Sequence, residues 1–242
     1  MTSNVDRQAD LTPAPEPYDF DAMPDPGVGA LRLVKPRMRG WLHAGVTPAA
    51  CVAGLILVTH TTSSAARAGS LIFLASAVLL FGTSAVFHCR NWNPPSYRLL
   101  RRIDHSNIYL FIAASYTPYA LCLLSGASRG WLLTLVWTAA VAGLLFRTLW
   151  LSAPRWLYTL MYGVMGLSAA AWLPQFLPDV GPGIFAMMLG SGFVYSVGAV
   201  VYAVRWPNPA PRWFGYHEVF HACTVAAFAL QYVALSAVAA AD

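Results

Sequence analysis

Apolar residues dominate this chain in long runs that polar clusters interrupt. Seven runs of about 20 mostly apolar residues stand out, roughly at 41–61, 68–88, 103–124, 130–149, 156–177, 183–204 and 215–239. A run of that length crosses the hydrocarbon core of a bilayer as a helix. The connections between them are short and hold Arg, Pro, Gly or Asn. The pattern predicts an all-α integral membrane protein, a seven-transmembrane helix bundle forming one domain over residues 31–242. Pro48, Pro118 and Pro174 fall inside apolar runs, where proline kinks or ends a helix. No internal repeat is visible.

Residues 1–30 follow a different pattern. They carry Asp6, Asp10, Glu16, Asp19, Asp21 and Asp25, six of the ten acidic residues, together with Pro13, Pro15, Pro17, Pro24 and Pro26. Little there can offset the entropy of ordering, so the stretch reads as a disordered acidic, Pro-rich tail. It lacks the basic start and adjoining apolar run of a signal peptide, so the first span is expected to insert on its own.

Composition agrees with a lipid solvent. The hydrophobic fraction is 57% and the charged fraction 10%. The mean hydropathy is +0.54. A soluble domain carries about 25% charged residues. The net charge of +5 comes from Arg at the edges of apolar runs rather than from a basic face, which argues against a nucleic-acid partner. Cys51, Cys89, Cys122 and Cys223 are scattered without a C-x-x-C pair, so they read as small packed hydrophobes.

Charge bias orients the bundle. Arg7, Arg32, Lys35, Arg37 and Arg39 precede the first run, and Arg90, Arg98, Arg101 and Arg102 lie between the second and third. Arg147 and Arg155 join the fourth and fifth, and Arg205 and Arg212 join the sixth and seventh. Alternating crossings put these thirteen on one side and only Arg67 and Arg129 on the other. The positive-inside rule then makes the N-terminus cytoplasmic and puts Asp242 outside. Trp41, Trp92, Trp206 and Trp213 fall at the cytoplasmic boundary, as interfacial aromatics do. The expected location is a bacterial-type plasma (inner) membrane.

Charged residues inside spans are costly and need a reason. Beyond the tail, the acidic residues are Asp104, Asp179, Glu218 and Asp242, and the histidines are His43, His60, His88, His105, His217 and His221. The second run ends in Ser84-Ala-Val-Phe-His88, the third opens with Ile103-Asp104-His105-Ser106-Asn107, and the seventh with His217-Glu218-Val-Phe-His221. Spacing of four puts Ser84 with His88, and His217 with His221, on one helix face. With the N-terminus inside, all three motifs lie at one depth near the cytoplasmic face. Three imidazoles, a water and an outer carboxylate make a catalytic-type zinc site, with Asp104 on the water. Such a zinc lowers the pKa of its water toward about 7.

Other residues have plainer readings. His43 and His60 sit at the two ends of the first run, as boundary histidines with no chemical role. His105 follows Asp104 and points about 100° around the helix, which suits a supporting role. Tyr116 and Tyr119 read as packing residues. His217-Glu218-x-x-His221 also matches the H-E-x-x-H pattern of zinc proteases, with Glu218 as base. Equally, Glu218 complements the dipole at the start of the last helix.

In order, Lys35-Pro-Arg-Met-Arg-Gly-Trp-Leu-His43, Ser84-x-x-x-His88, Arg102-Ile-Asp104-His105-Ser, Tyr116-Thr-Pro-Tyr119 and His217-Glu-Val-Phe-His221 resemble the hemolysin III family, the bacterial branch of the progestin and adipoQ receptor (PAQR) superfamily. The resemblance runs from about Lys35 to the end. It implies a seven-helix bundle with its N-terminus inside, zinc held by His88, His217 and His221, Asp104 on a zinc-bound water, and Ser84 beside it.

Three functions share these residues. In the first, related zinc proteins imply cleavage of a membrane lipid amide, such as a ceramide, by a water that Asp104 activates, with Ser84 donating to the oxyanion. In the second, zinc is a structural staple in a non-catalytic sensor of membrane state. The third, a cytolytic pore or channel, needs a polar stripe through the bundle, and the middles of the runs carry Ser, Thr and Gly but no charge.

Overall fold

A computed structural model describes residues 36–241, and the acidic tail lies outside them. The described residues are helical: α1 (Trp41–Thr59), α2 (Ser64–Cys89), α3 (Pro94–Leu123), α4 (Gly126–Leu149), α5 (Arg155–Leu167), a 3-10 turn (Ser168–Trp172), α6 (Leu173–Val204) and α7 (Tyr216–Ala241). Five helical stretches are long and apolar enough to cross a membrane: α1, α2, α4, the continuous stretch Arg155–Val204, and α7. The outer surface supports membrane burial, because large apolar side chains such as Leu145, Val164 and Phe193 are exposed on it. This is a membrane protein, and polar side chains such as Arg101, Asp104, Asn107 and Arg147 are buried inside it.

Sequence pattern divides the chain into seven, and the helices explain the difference. α3 is 30 residues long but polar. It carries Arg98, Arg101, Arg102 and Asp104 early and hydroxyl residues later, and it buries Arg101, Asp104, Ser106, Asn107, Ser115 and Thr117 against its neighbours. Arg155–Val204 is 50 residues, roughly 75 Å of helix if straight, more than twice the hydrocarbon thickness. It is not straight. The 3-10 turn interrupts it, and at Gly181 the backbone reaches φ 71°, a left-handed value that glycine adopts freely. The hydroxyls of Tyr158 and Tyr202 lie 3.3 Å apart, so the start of α5 meets the end of α6.

Helix limits follow local chemistry. Asn93 accepts a hydrogen bond from the Ser96 amide at 3.0 Å, and Pro94 and Pro95 occupy the first helical positions. Capping asparagine followed by proline is a strong start signal, and it opens α3 about nine residues before the apolar run. Ser63 caps α2 in the same way through the Ala66 amide. Pro48 and Pro118 lie inside α1 and α3, whereas Pro174 is among the first residues of α6 and starts that helix rather than breaking one. None of the four cysteines forms a disulfide.

Contacts between helix ends sort the bundle into two ends. His43, His88, His105, Arg147, Tyr158, Tyr202 and His217 gather at one, through ring and hydrogen-bond contacts. Ser128, Trp172 and Gln175 meet at the other. Between them, Phe73, Phe81, Phe111 and Phe228 form an aromatic core.

Candidate metal centre

Three imidazoles converge at the first of these ends. His88 comes from the last turn of α2, and His217 and His221 from one face of α7, one turn apart. The ligand atoms of these three all lie within 4.8 Å of one another, and all three residues are buried. The rings meet edge to face, with centroids 4.8 Å apart for His88 and His217 and 4.5 Å for His217 and His221. His88 Nε2 has no hydrogen-bond partner, and Asp104 Oδ2 stands 3.6 Å from it. Three imidazoles with a carboxylate standing just off them fit one metal ion better than they fit each other, since imidazoles alone cannot all donate and accept in so small a space.

The segment before α1 shapes this end. Gly40 has φ 84°, and a Cβ there would lie 2.7 Å from His88 Cβ. Only glycine therefore turns the chain at that point without displacing His88. The amides of Arg37 and Met38 donate to the carbonyls of Arg212 and Trp213, both at 3.1 Å, which ties this segment to the α6–α7 connection.

A cavity of about 480 Å³ runs from the cluster into the bundle. His43, Ser84, Asp104, His217 and His221 line one end, and Tyr119, Phe176 and Gln231 line the far part. Its walls are mostly apolar side chains.

The family model described as haemolysin-III related matches residues 31–232. The chain belongs to that family. It is similar to a protein named hemolysin-3 from Bacillus cereus, 32% identical over 177 residues, which are 71% of this chain and 80% of that one. It is similar to a hemolysin-3 homolog from Bacillus subtilis (strain 168), 36% identical over 132 residues, 54% of this chain and 61% of that one. A Caenorhabditis elegans protein named progestin and adipoQ receptor-like protein 1 is 26% identical over 187 residues, 69% of this chain and 42% of that one. This last likeness supports the link to the PAQR superfamily.

In this haemolysin III protein the residues singled out by sequence take distinct places. Ser84 is buried one turn before His88 and lines the cavity with Asp104. Glu218 faces elsewhere. It pairs with Arg39 Nε, accepts the Gly215 amide at 2.8 Å, and does not line the cavity. Its 1% exposure and its two partners make it a cap and anchor for α7 rather than the free base of an H-E-x-x-H protease. Tyr116 donates to the Gly166 carbonyl and Tyr119 to the Gln231 carbonyl, and both line the cavity. His60 is exposed at the opposite end of α1.

Sequence reasoning missed three partners. His43 is buried at the site, its ring stacked on His221 with centroids 3.9 Å apart. Arg39 is the counter-ion of Glu218. Arg147, counted above as a boundary charge, is fully buried. It donates through Nε to His105 Nδ1 at 3.0 Å and through a terminal nitrogen to the Leu151 carbonyl at 2.8 Å, and its guanidinium covers the Tyr158 ring at 4.4 Å. His105 thereby supports the bundle wall beside Asp104, and its own carbonyl accepts from the Tyr162 hydroxyl at 3.1 Å.

Proposed function

We propose that this chain is a zinc-dependent hydrolase of lipid amides, a bundle of seven crossings in the plasma membrane with its N-terminus in the cytoplasm and Asp242 outside. One observation carries the reading: three buried histidines have metal-ligand spacing, and two of them, His217 and His221, line an apolar cavity whose same end holds Asp104 and Ser84. The charge bias supports the orientation, and the hairpin of α5 with α6 supports two crossings in that stretch.

His88, His217 and His221 would hold the ion, and three neutral nitrogens match the donor set of catalytic zinc. When bound, zinc supplies Lewis acidity and a water acidic enough to attack near neutral pH. Asp104 would orient the attacking water, take its proton and pass that proton to the amine that leaves as the C–N bond breaks. Ser84 donates to the oxygen that gains charge as the substrate carbonyl is attacked. The cavity holds the acyl chain and keeps bulk water away from the carboxylate. Membrane lipid reaches the site without leaving apolar surroundings.

A second reading has one observation in its favour. The same three histidines tie α2 to α7, so a metal there also fastens the bundle, as a sensor of membrane state with a structural zinc requires. The names of the Bacillus relatives suggest lysis. Among the described residues, however, the buried charges Arg39, Arg101, Asp104, Arg147 and Glu218 all lie toward the metal end, which is not the continuous polar stripe of a pore.

Elemental analysis of the purified chain beside His217→Ala/His221→Ala, with lipid-amide turnover in parallel, tests the proposal. About one zinc per chain is expected in the wild type and none in the double variant. Asp104→Ala is expected to keep its zinc and lose at least about 100-fold in turnover. Zinc without any turnover in the wild type leaves the staple. Zinc lost from Asp104→Ala makes the carboxylate a ligand, and no zinc in the wild type removes both readings.

A further inference from the structure

His43 has no place in the three-histidine set, yet it is built into the same site. It lies in the first turn of α1, is 3% exposed, and lines the cavity. Neither of its ring nitrogens has a hydrogen-bond partner. Its contacts are with rings: it stacks on His221 at 3.9 Å with the planes 8° apart, and meets Phe81 edge-on at 5.0 Å. A buried polar group without a partner is costly, so such a group in a cavity wall points to what the cavity takes in.

The stacking says what His43 is not. Imidazole lone pairs lie in the ring plane, so an ion held by His221 lies in the His221 plane. The His43 plane is nearly parallel to that one and displaced from it by the stack. Its nitrogens therefore lie in the cavity wall beside the metal position rather than on it.

We propose that His43 binds the amide group of the substrate and selects amides over esters. The proposal rests on the lipid-amide reading above and adds the residue that sets its specificity. A neutral imidazole offers one N–H donor and one nitrogen acceptor. Its two nitrogens point apart, as the C=O and N–H of a trans secondary amide do, so one imidazole makes one bond to the amide: the acceptor nitrogen takes the amide N–H, and the carbonyl is left to Ser84. An ester of the same shape has no donor, so it leaves the acceptor nitrogen of His43 unpaired in a buried wall. Sites built to bond an N–H reject analogues that lack it for this reason.

The test compares two probes of one shape, N-palmitoylethanolamine and its ester counterpart 2-hydroxyethyl palmitate. Equilibrium binding is measured on the full chain in phosphatidylcholine nanodiscs, in an Asp104→Asn background that stops turnover. Metal content is measured on every sample. With His43 intact, the amide is expected to bind about tenfold tighter than the ester. His43→Phe, which keeps a ring on His221, is expected to bind both alike with unchanged metal content. His43→Leu does the same by a different shape, so a folding defect in one variant leaves the other to decide. His43→Gln, which restores a donor and an acceptor, is expected to recover part of the preference. A preference that survives both apolar variants overturns the proposal. Metal lost from them also overturns it, by making His43 a ligand. Equal binding of both probes with His43 intact sinks the selectivity alone, whereas binding of neither sinks the lipid-amide reading with it.

Discussion

Buried polarity differs between the two ends of the bundle. At the metal end, five histidines and the charged side chains of Arg39, Arg101, Asp104, Arg147 and Glu218 are all buried, and Glu218, Asp104 and Arg147 each reach a partner on a distant segment of the chain. At the far end, polar groups close helix termini. Arg129 Nε donates to the Leu124 carbonyl at 2.6 Å, His60 Nδ1 lies 2.8 Å from the Ile56 carbonyl, and Thr61 donates to the Val58 carbonyl at 2.7 Å. Ser128 and Gln175 add one link between segments there, at 2.6 Å. The far end does what any helix end in a bilayer must do with its carbonyls. The metal end holds charge in the interior, which a membrane protein keeps only where the charge serves a site or supports one.

Removing a supporting charge at the metal end should have the largest effect. Glu218→Ala leaves Arg39 buried without its carboxylate and removes the acceptor of the Gly215 amide. The expected loss is about 3–5 kcal/mol, read as the midpoint of denaturant unfolding in mixed micelles. Replacing both partners, as Arg39→Met/Glu218→Leu, should cost less than the single change, because no lone charge remains. The folded fraction of Glu218→Ala should still bind one metal per chain. Metal lost there, with the fold intact, would return Glu218 to the site and blur the line between supporting and metal-facing charge.

An intermediate effect is expected where the charge is kept but its geometry is not. Arg147→Lys retains the cation over Tyr158 yet cannot reach His105 Nδ1 and the Leu151 carbonyl together. Leaving one buried acceptor unpaired costs about 1–3 kcal/mol. A thermal midpoint equal to wild type would mean that charge alone holds α4 against α3, and the fork of the arginine is incidental.

How much of this was legible in the sequence depends on the distance between partners. His88, Asp104, His217 and His221 could be grouped because spacing of four aligns side chains on one helix and alternating crossings equalise depth. Ser84 followed from the same spacing. Arg39 and Glu218 are 179 positions apart, and Arg147 and His105 are 42 apart, with no periodicity linking either pair. Arg147 sits at the edge of an apolar run, where an arginine ordinarily marks a boundary, so its burial was invisible. His43 was hidden in the same way, at the head of the first run. The early start of α3 was readable in principle, since Asn93-Pro94-Pro95 is a start signal, but polar residues 94–102 lie outside the apolar pattern that marks a span. Hydropathy finds what faces lipid, and the site is made of what does not.

The smallest effect is expected at the far end, and His60 is the sharpest place to look for it. It is a histidine on the same helix as His43, about 26 Å along the axis from it. Composition makes the two alike, and only their surroundings separate them. His43 is enclosed by His221 and Phe81, while His60 is exposed and touches the last turn of its own helix. His60→Ala removes one exposed contact to a carbonyl that solvent or headgroups can reach, so the thermal midpoint should move by no more than about 0.5 kcal/mol equivalent. Metal content and lipid binding should match wild type. A fall in metal content in His60→Ala would connect the two ends of the bundle and break the division of labour drawn between them. An unchanged value beside an altered amide preference in His43→Phe places the chemistry at one end only.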